Sequence, residues 1–267
     1  MRLKDRVAVI TGASSGIGRA IAIRFAAEGA VVVASDIRED PVWAPPGESA
    51  PTIDAITADG GRAEYLRADV SEPEDVEALI TGAVERHGSL DILVNSAGVF
   101  DSFAILDTSL QNWEQVMAVN LRGPFLCCKR AIAQMLEQEP RGEVRGRIIN
   151  LSSQHGMIGP PEYCAYAVSK AGIVQLTKQL AVDYARHGIM VNAVAPGRIM
   201  TGTHPGEPEY LQQGEIDADT EYSLSRTPFP RLGRPADVAG AALYLGSDDC
   251  SFVSGHNLLV DGGWMAY

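Results

Sequence analysis

The stretch EYCAYAVSK, Glu162 to Lys170, sets two tyrosines, Tyr163 and Tyr166, ahead of one lysine. A phenol beside an ammonium group can act as a proton-transfer pair, because the cation favours the phenolate. Pro160 and Pro161 forbid helix before Glu162, so the helix predicted there has Tyr163 in its first turn and Tyr166 one turn in. Residues four apart on a helix stand one above the other, which makes Tyr166 and Lys170 neighbours. Tyr163, seven residues from the lysine, is about 10 Å away along the axis. A free phenol titrates near pH 10, so a base working near neutrality needs a downward shift of roughly three units, about 4 kcal/mol. An ammonium at ~4 Å supplies several kcal/mol where water is partly excluded, and less than half of that at twice the distance. Tyr166 is therefore the expected acid/base, with Tyr163 a pocket wall or a packing residue.

A second stretch, VITGASSGIGRA, carries Gly12, Gly16 and Gly18, with Ser14, Ser15 and Ile17 completing the turn. A β-branched run precedes it and a helical pattern follows. Glycines suit a sharp turn where bare backbone meets a phosphate, and a helix N-terminus offers unpaired N–H groups and a positive dipole end. Asp36 ends the next apolar run about 20 residues on, where a carboxylate accepts hydrogen bonds from the ribose hydroxyls of a dinucleotide and repels a 2′-phosphate. The cofactor expected is NAD. Arg38, two residues later, is the complication, since an arginine can swing onto a phosphate.

The elements that must position these groups are legible as alternation. Apolar runs at 6–11, 30–35, 63–69, 90–98, 146–153, 189–197 and 257–263 are separated by amphipathic segments of helical length. SEPEDVEALITGAVERHG (71–88), for one, has Ser71 at the N-cap position and acids in its first turn. Strand–helix repetition means parallel neighbours joined by right-handed crossovers, so the expected fold class is α/β, a doubly wound seven-stranded parallel sheet in a single domain over 1–267. Two segments break the rhythm: the proline-rich stretch 38–51 and a polar excursion over 198–227.

Composition narrows the partners. With 267 residues, 46% apolar residues and a formal charge of −12, the chain suits one large soluble domain and neither a nucleic-acid backbone nor an anionic membrane. No apolar run reaches 18 residues, and the N-terminus enters a strand without a signal-peptide core, so a cytoplasmic location is expected. Cys127, Cys128, Cys164 and Cys250 show no metal-ligand spacing and read as idle thiols in a reducing compartment.

TGASSGIG, NSAG, Asn120, NLSS, YAVSK, PGRIMT and LLVDGG, in this order over nearly the whole chain, resemble the short-chain dehydrogenase/reductase family. The resemblance implies a Rossmann-like domain, NAD(P) binding, metal-free hydride transfer between a nicotinamide and an alcohol/carbonyl pair, and a homotetramer or homodimer, of which the homotetramer is the expectation here. By position it implies that Asn120, Ser153, Tyr166 and Lys170 form the catalytic set, with Lys170 also on the ribose and Asn120 helping to hold a water that links Lys170 to solvent. It implies that Asp69, with Val70 beside it, binds the adenine amino group. Asn95, Ala97 and Gly98 flank the adenosine ribose and the central strands, and Pro196, Gly197, Ile199 and Thr201 hold the nicotinamide carboxamide. Ser96 stands where the family usually has a second Asn.

Ser153 ends the NLSS run, where side chains face the crevice at the carboxyl edge of a parallel sheet; it is expected to hydrogen-bond the substrate oxygen while Ser152 points away. His155, Met157 and Tyr163 are expected to line the substrate site. His155 reads equally as a partner for a second substrate hydroxyl and as a loop histidine. His155, Gln154, Glu162 and His204 incline the substrate toward a polyol, sugar or hydroxy acid. The 198–227 segment reads as a hinged lid. Segment 38–51 reads as a cover on the adenosine end, an interface, or an uninvolved loop. Two rival functions are an NADP-dependent carbonyl reductase, with Arg38 overriding Asp36, and a dinucleotide-binding regulator without turnover.

Overall fold

The computed structural model describes residues 1–42, 49–201 and 218–267. Among them the strands are β1 (Val7–Thr11), β2 (Val31–Asp36), β3 (Arg62–Arg67), β4 (Ile92–Asn95), β5 (Gly146–Leu151), β6 (Ile189–Pro196) and β7 (Asn257–Val260). They form one seven-stranded sheet in the order β3-β2-β1-β4-β5-β6-β7, and every neighbouring pair is parallel. The expected doubly wound α/β domain is what the chain builds. β1, β4 and β5 are buried along their whole length, as strands covered on both faces must be.

The helices are α1 (Gly16–Ala27), α2 (Thr52–Ala58), α3 (Pro73–His87), α4 (Leu110–Met117), α5 (Gly123–Glu137), α6 (Cys164–Tyr184), α7 (Ala218–Arg226) and α8 (Pro235–Gly246). Strand periodicity distributes β1 between two cores. Ala8 and Ile10 join Ile21 and Phe25 of α1 and Leu243 of α8; Val9 joins Leu79 and Ile80 of α3 and Cys127 and Ala131 of α5. Burial pushes the Cys127 thiol up to about 12, so this cysteine is an inert core residue. No helix among the described residues is long and apolar enough to cross a membrane.

Three local expectations are corrected. Helix α3 is capped by Glu72, not Ser71; the Ser71 hydroxyl donates instead to Asp69 Oδ1 at 2.7 Å. β4 stops at Asn95, because the next two backbone amides, Ser96 and Ala97, donate to the Thr11 hydroxyl. β5 stops at Leu151, so Ser152 and Ser153 stand beyond the strand. Ser152 does point away from the crevice, its hydroxyl donating to Val194 O at 3.0 Å and to Asn257 Oδ1 at 2.6 Å.

At the opposite, amino-terminal edge, Asp91 is 3% exposed and accepts from Val7 N at 2.8 Å, Arg6 at 3.2 Å and Arg141 at 3.1 Å. This cluster fastens β1 to β4 far from the crevice. Asp91→Ala leaves a buried amide and two cations without their acceptor, and is expected to cost about 2–3 kcal/mol in urea unfolding while leaving dinucleotide affinity unchanged.

Candidate active site

The strand order reverses at β1, which pairs with β2 on one side and β4 on the other, and the crevice at that switch point is where open α/β sheets take ligands. The glycines of its turn have separate reasons. A Cβ on Gly12, whose φ is +66°, would lie 2.7 Å from the Ala97 backbone, and one on Gly18 would lie 2.1 Å from Gly12 O. Both are therefore demanded by the chain's own packing. Gly16 adopts φ +55°, and a Cβ there would meet only Thr201, at 3.4 Å. No side chain caps the N-terminus of α1, so its first amides remain available to a phosphate. Asp36 stands at the end of β2 and accepts from Ser14 N at 3.3 Å and Ile37 N at 2.8 Å. These residues fit the diphosphate and ribose of a nicotinamide dinucleotide.

Ser14 and Ser15 do something the sequence reading did not foresee. The Ser14 hydroxyl donates to Arg38 O at 2.7 Å, and Val42 N donates to Ser15 Oγ at 2.7 Å. The first part of the 38–51 segment is thus tied to the glycine turn, while residues 43–48 lie outside the described residues.

The other expected cofactor residues divide. Gly98 stands at the crevice, where a Cβ would come 3.4 Å from Asn120 Oδ1 and 3.7 Å from Lys170 Nζ. Ala97 packs its backbone on Gly12. Pro196 ends β6, Gly197 N donates to Val260 O at 3.0 Å, and Ile199 and Thr201 are buried, with Thr201 beside Gly16. Asp69 engages one carboxylate oxygen with Ser71, and Val70 is buried with its side chain against Gly123. Asn95 is turned inward: its amide donates to Asn150 Oδ1 at 2.8 Å and to Cys128 Sγ at 3.3 Å. Asn150 continues to Thr177 of α6 at 2.9 Å, so Asn95 links central strands to a helix and its side-chain donor is directed away from the crevice.

Tyr166, Lys170, Ser153 and Asn120 converge. Pro160 and Pro161 and a left-handed Glu162 (φ +63°) delay α6, so Tyr163 is its cap and Tyr166 lies in its first turn. Glu162 itself is exposed. Lys170, one turn on, is 6% exposed, with Nζ 5.6 Å from the Tyr166 ring centre and donating to Leu151 O at 2.9 Å. Ser153 stands beside the Tyr166 hydroxyl, close enough to favour the phenolate. Asn120 sits in a single π-helical turn, Ala118–Arg122, of the kind found at functional sites. Its side chain accepts from Val99 N at 2.8 Å and donates to Val99 O at 2.8 Å and Ser169 Oγ at 3.3 Å. Both of its amide hydrogens are engaged, which leaves the second lone pair of Oδ1 and its backbone to hold a water.

The expected downward shift of the phenol is not produced by these residues. Burial pushes Tyr166 up to about 12 against the opposing bond from Ser153, and pushes Lys170 down to about 8. Desolvation disfavours both charged forms, and the ammonium group is directed at the Leu151 carbonyl.

The substrate side is more aromatic than the sequence suggested. Phe100 lies edge-on to Tyr163 at 5.1 Å and to Tyr166 at 5.2 Å, and His155 lies edge-on to the same two rings at 5.0 and 6.4 Å. Beside them, burial raises the pKa of Asp101, partly offset by the Tyr166 backbone N–H that its carboxylate faces. Phe100 and Asp101 went unread, although both directly follow NSAGV. Met157 is half exposed with its sulfur 3.2 Å from Asn257 Nδ2. His204 and most of the 198–227 segment lie outside the described residues. At its described end, Arg226 of α7 stacks on Trp264 at 4.6 Å and Tyr267 at 5.7 Å.

Comparison with known proteins places this geometry in context. A family model described as enoyl-(acyl carrier protein) reductase matches residues 12–265. The chain is 43% identical over 265 residues to 3beta-hydroxysteroid dehydrogenase 1 of Eggerthella lenta, covering 99% of this chain and 95% of that protein. It is 36% identical, with a TM-score of 0.83, to the crystal structure of a putative 2-deoxy-d-gluconate 3-dehydrogenase from Agrobacterium tumefaciens with bound NADP, covering 99% and 98% of the two chains. It is 32% identical, with a TM-score of 0.85, to a short-chain type dehydrogenase/reductase from Mycobacterium marinum, covering 99% and 97%.

The buried lysine carries a stability signature. Its folded pKa of about 8 lies below the ordinary 10.5, so between these values the unfolded chain binds more protons and stability rises with pH. Below pH 8 the burial cost is fully present, about 3 kcal/mol. Lys170→Met, which removes that cost and loses the bond to Leu151, is expected to be about 2 kcal/mol more stable than wild type at pH 7. In urea melts its stability should lack the rise between pH 8 and 10.5.

Proposed function

Because the chain belongs to the short-chain dehydrogenase/reductase family, we propose that it is an NAD-dependent oxidoreductase interconverting a secondary alcohol and its ketone, the alcohol being a polyol, sugar or hydroxy acid. The observation that carries this reading is the convergence of Tyr166, the buried Ser153 beside its hydroxyl and a buried Lys170 whose Nζ lies 5.6 Å from the phenol ring centre. The dinucleotide, when bound, supplies the hydride acceptor and, in its oxidised form, a positive charge that favours the phenolate. Tyr166 takes the hydroxyl proton, Ser153 holds the substrate oxygen, and Lys170 holds the ribose and adds positive charge. Asn120 positions Val99 and, through its backbone, the water that exchanges protons with Lys170.

NAD is favoured over NADP by the Asp36 carboxylate at the end of β2, although a similar structure is described with bound NADP. The substrate class is supported by the polar groups near Ser153 and by the likeness to a putative 2-deoxy-d-gluconate 3-dehydrogenase, while the likeness to a 3beta-hydroxysteroid dehydrogenase points to a steroid alcohol instead. The enzyme works in the cytoplasm as a homotetramer of single-domain subunits; residues 202–217 of the expected lid, 198–227, and residues 43–48 of the 38–51 segment lie outside the described residues.

Initial rates by NADH absorbance test the core of this reading. Against a panel of polyols, sugars and hydroxy acids, NAD should outperform NADP at equal concentration; a large NADP preference overturns the cofactor assignment. Tyr166→Phe should lower kcat by roughly 100-fold or more, and Tyr163→Phe by less than tenfold. Unchanged activity in Tyr166→Phe would favour a different base.

A further inference from the structure

Resting on the reading that Ser153 and Tyr166 hold the reacting oxygen, we propose that Gln154 fixes His155 as an imidazole protonated at Nδ1, a hydrogen-bond donor that selects substrates with a second, uncharged oxygen near the reacting carbon. Ser153 is extended and caps the single turn Gln154–Gly156, its Oγ accepting from His155 N at 3.1 Å. That bond places the imidazole in the pocket of the phenol, edge-on to Tyr163 and Tyr166. The Cα atoms of Ser153 and His155 are at most about 7 Å apart, so an oxygen read by His155 lies within a few bonds of one read by Ser153.

Gln154 is 6% exposed, and its Nε2 lies 3.3 Å from His155 Nε2. A carboxamide nitrogen only donates, so the ring nitrogen facing it must accept and the ring proton resides on Nδ1. In this orientation the amide's Oε1 is buried without a hydrogen-bond partner on the Gly197 side, where a Cβ would come within 3.1 Å. Burial, with the Arg198 charge adding to it, pushes His155 down to about 4. The ring is therefore neutral at pH 7 and makes no ion pair with a carboxylate. Of a polyol, a sugar and a hydroxy acid, the first two offer the uncharged oxygen this ring suits.

Two measurements on the intact protein decide the matter. In 15N-histidine-labelled protein at pH 7, with His155→Asn assigning the signal, wild type should show His155 protonated at Nδ1 alone, and Gln154→Leu a mixture of tautomers. An Nε2-protonated or doubly protonated ring in wild type overturns the proposal. With NAD, the kcat/KM ratio for cyclohexane-1,2-diol over cyclohexanol should exceed about tenfold in wild type, fall toward one in His155→Phe and fall several-fold in Gln154→Leu. Equal ratios in wild type and His155→Phe overturn it, as does turnover of neither alcohol. Full activity in Tyr166→Phe sinks the underlying acid/base reading instead and leaves the tautomer result standing.

Discussion

The Lys170 ammonium group is buried at the carboxyl edge of the sheet, and much of the surrounding architecture serves to keep it there. An amine in that position is tolerated only when it is hydrogen-bonded, and Leu151 O, the last carbonyl of β5, provides the acceptor. Gly98 borders the approach to Nζ, which a Cβ there would touch at 3.7 Å. Asn120 holds Val99 by both backbone groups and reaches Ser169 on α6, so the loop after β4 and the helix carrying the lysine move as one unit. The π turn that presents Asn120 is a local departure from helical geometry, stabilised by these bonds.

Burial also explains why two groups four residues apart have opposite departures from their ordinary titration. The phenol goes up and the amine goes down because burial penalises the charged form of each, phenolate in one case and ammonium in the other. In the proposed reaction, acid/base function near neutral pH then depends on a further positive charge brought to the same pocket, which would couple proton transfer to dinucleotide binding. The neutral His155 fits this arrangement: it adds no like charge beside Tyr166, and the Asp101 carboxylate faces the backbone N–H of Tyr166 at the start of α6.

The crevice shows one set of residues meeting several demands. Gly12 and Gly18 let the first turn close on Ala97 and on itself; Gly16, in a left-handed conformation, is the one turned toward Thr201 and the ligand side. Ser14 and Ser15, which look like phosphate donors by position, secure the connection after β2. Asn95 joins β4, β5 and α6 through Asn150 and Thr177.

The sequence alone determined the alternation of strands and helices, the parallel doubly wound sheet and the stacking of Tyr166 above Lys170. These follow from side-chain periods of two and 3.6 and from the proline pair before Glu162, all of which are local. It also placed Asp36 at a strand end, since strand length and the next breaker are written in adjacent residues. Tertiary structure alone decided which partner many polar groups take: Asn95 bonding Asn150, Ser14 bonding Arg38 O, Lys170 bonding Leu151 O, Phe100 meeting the two tyrosines. It also decided the direction in which the phenol and the amine shift. Hydrogen-bond partners and desolvation depend on atoms that come together from distant parts of the chain, and no window of adjacent residues contains them.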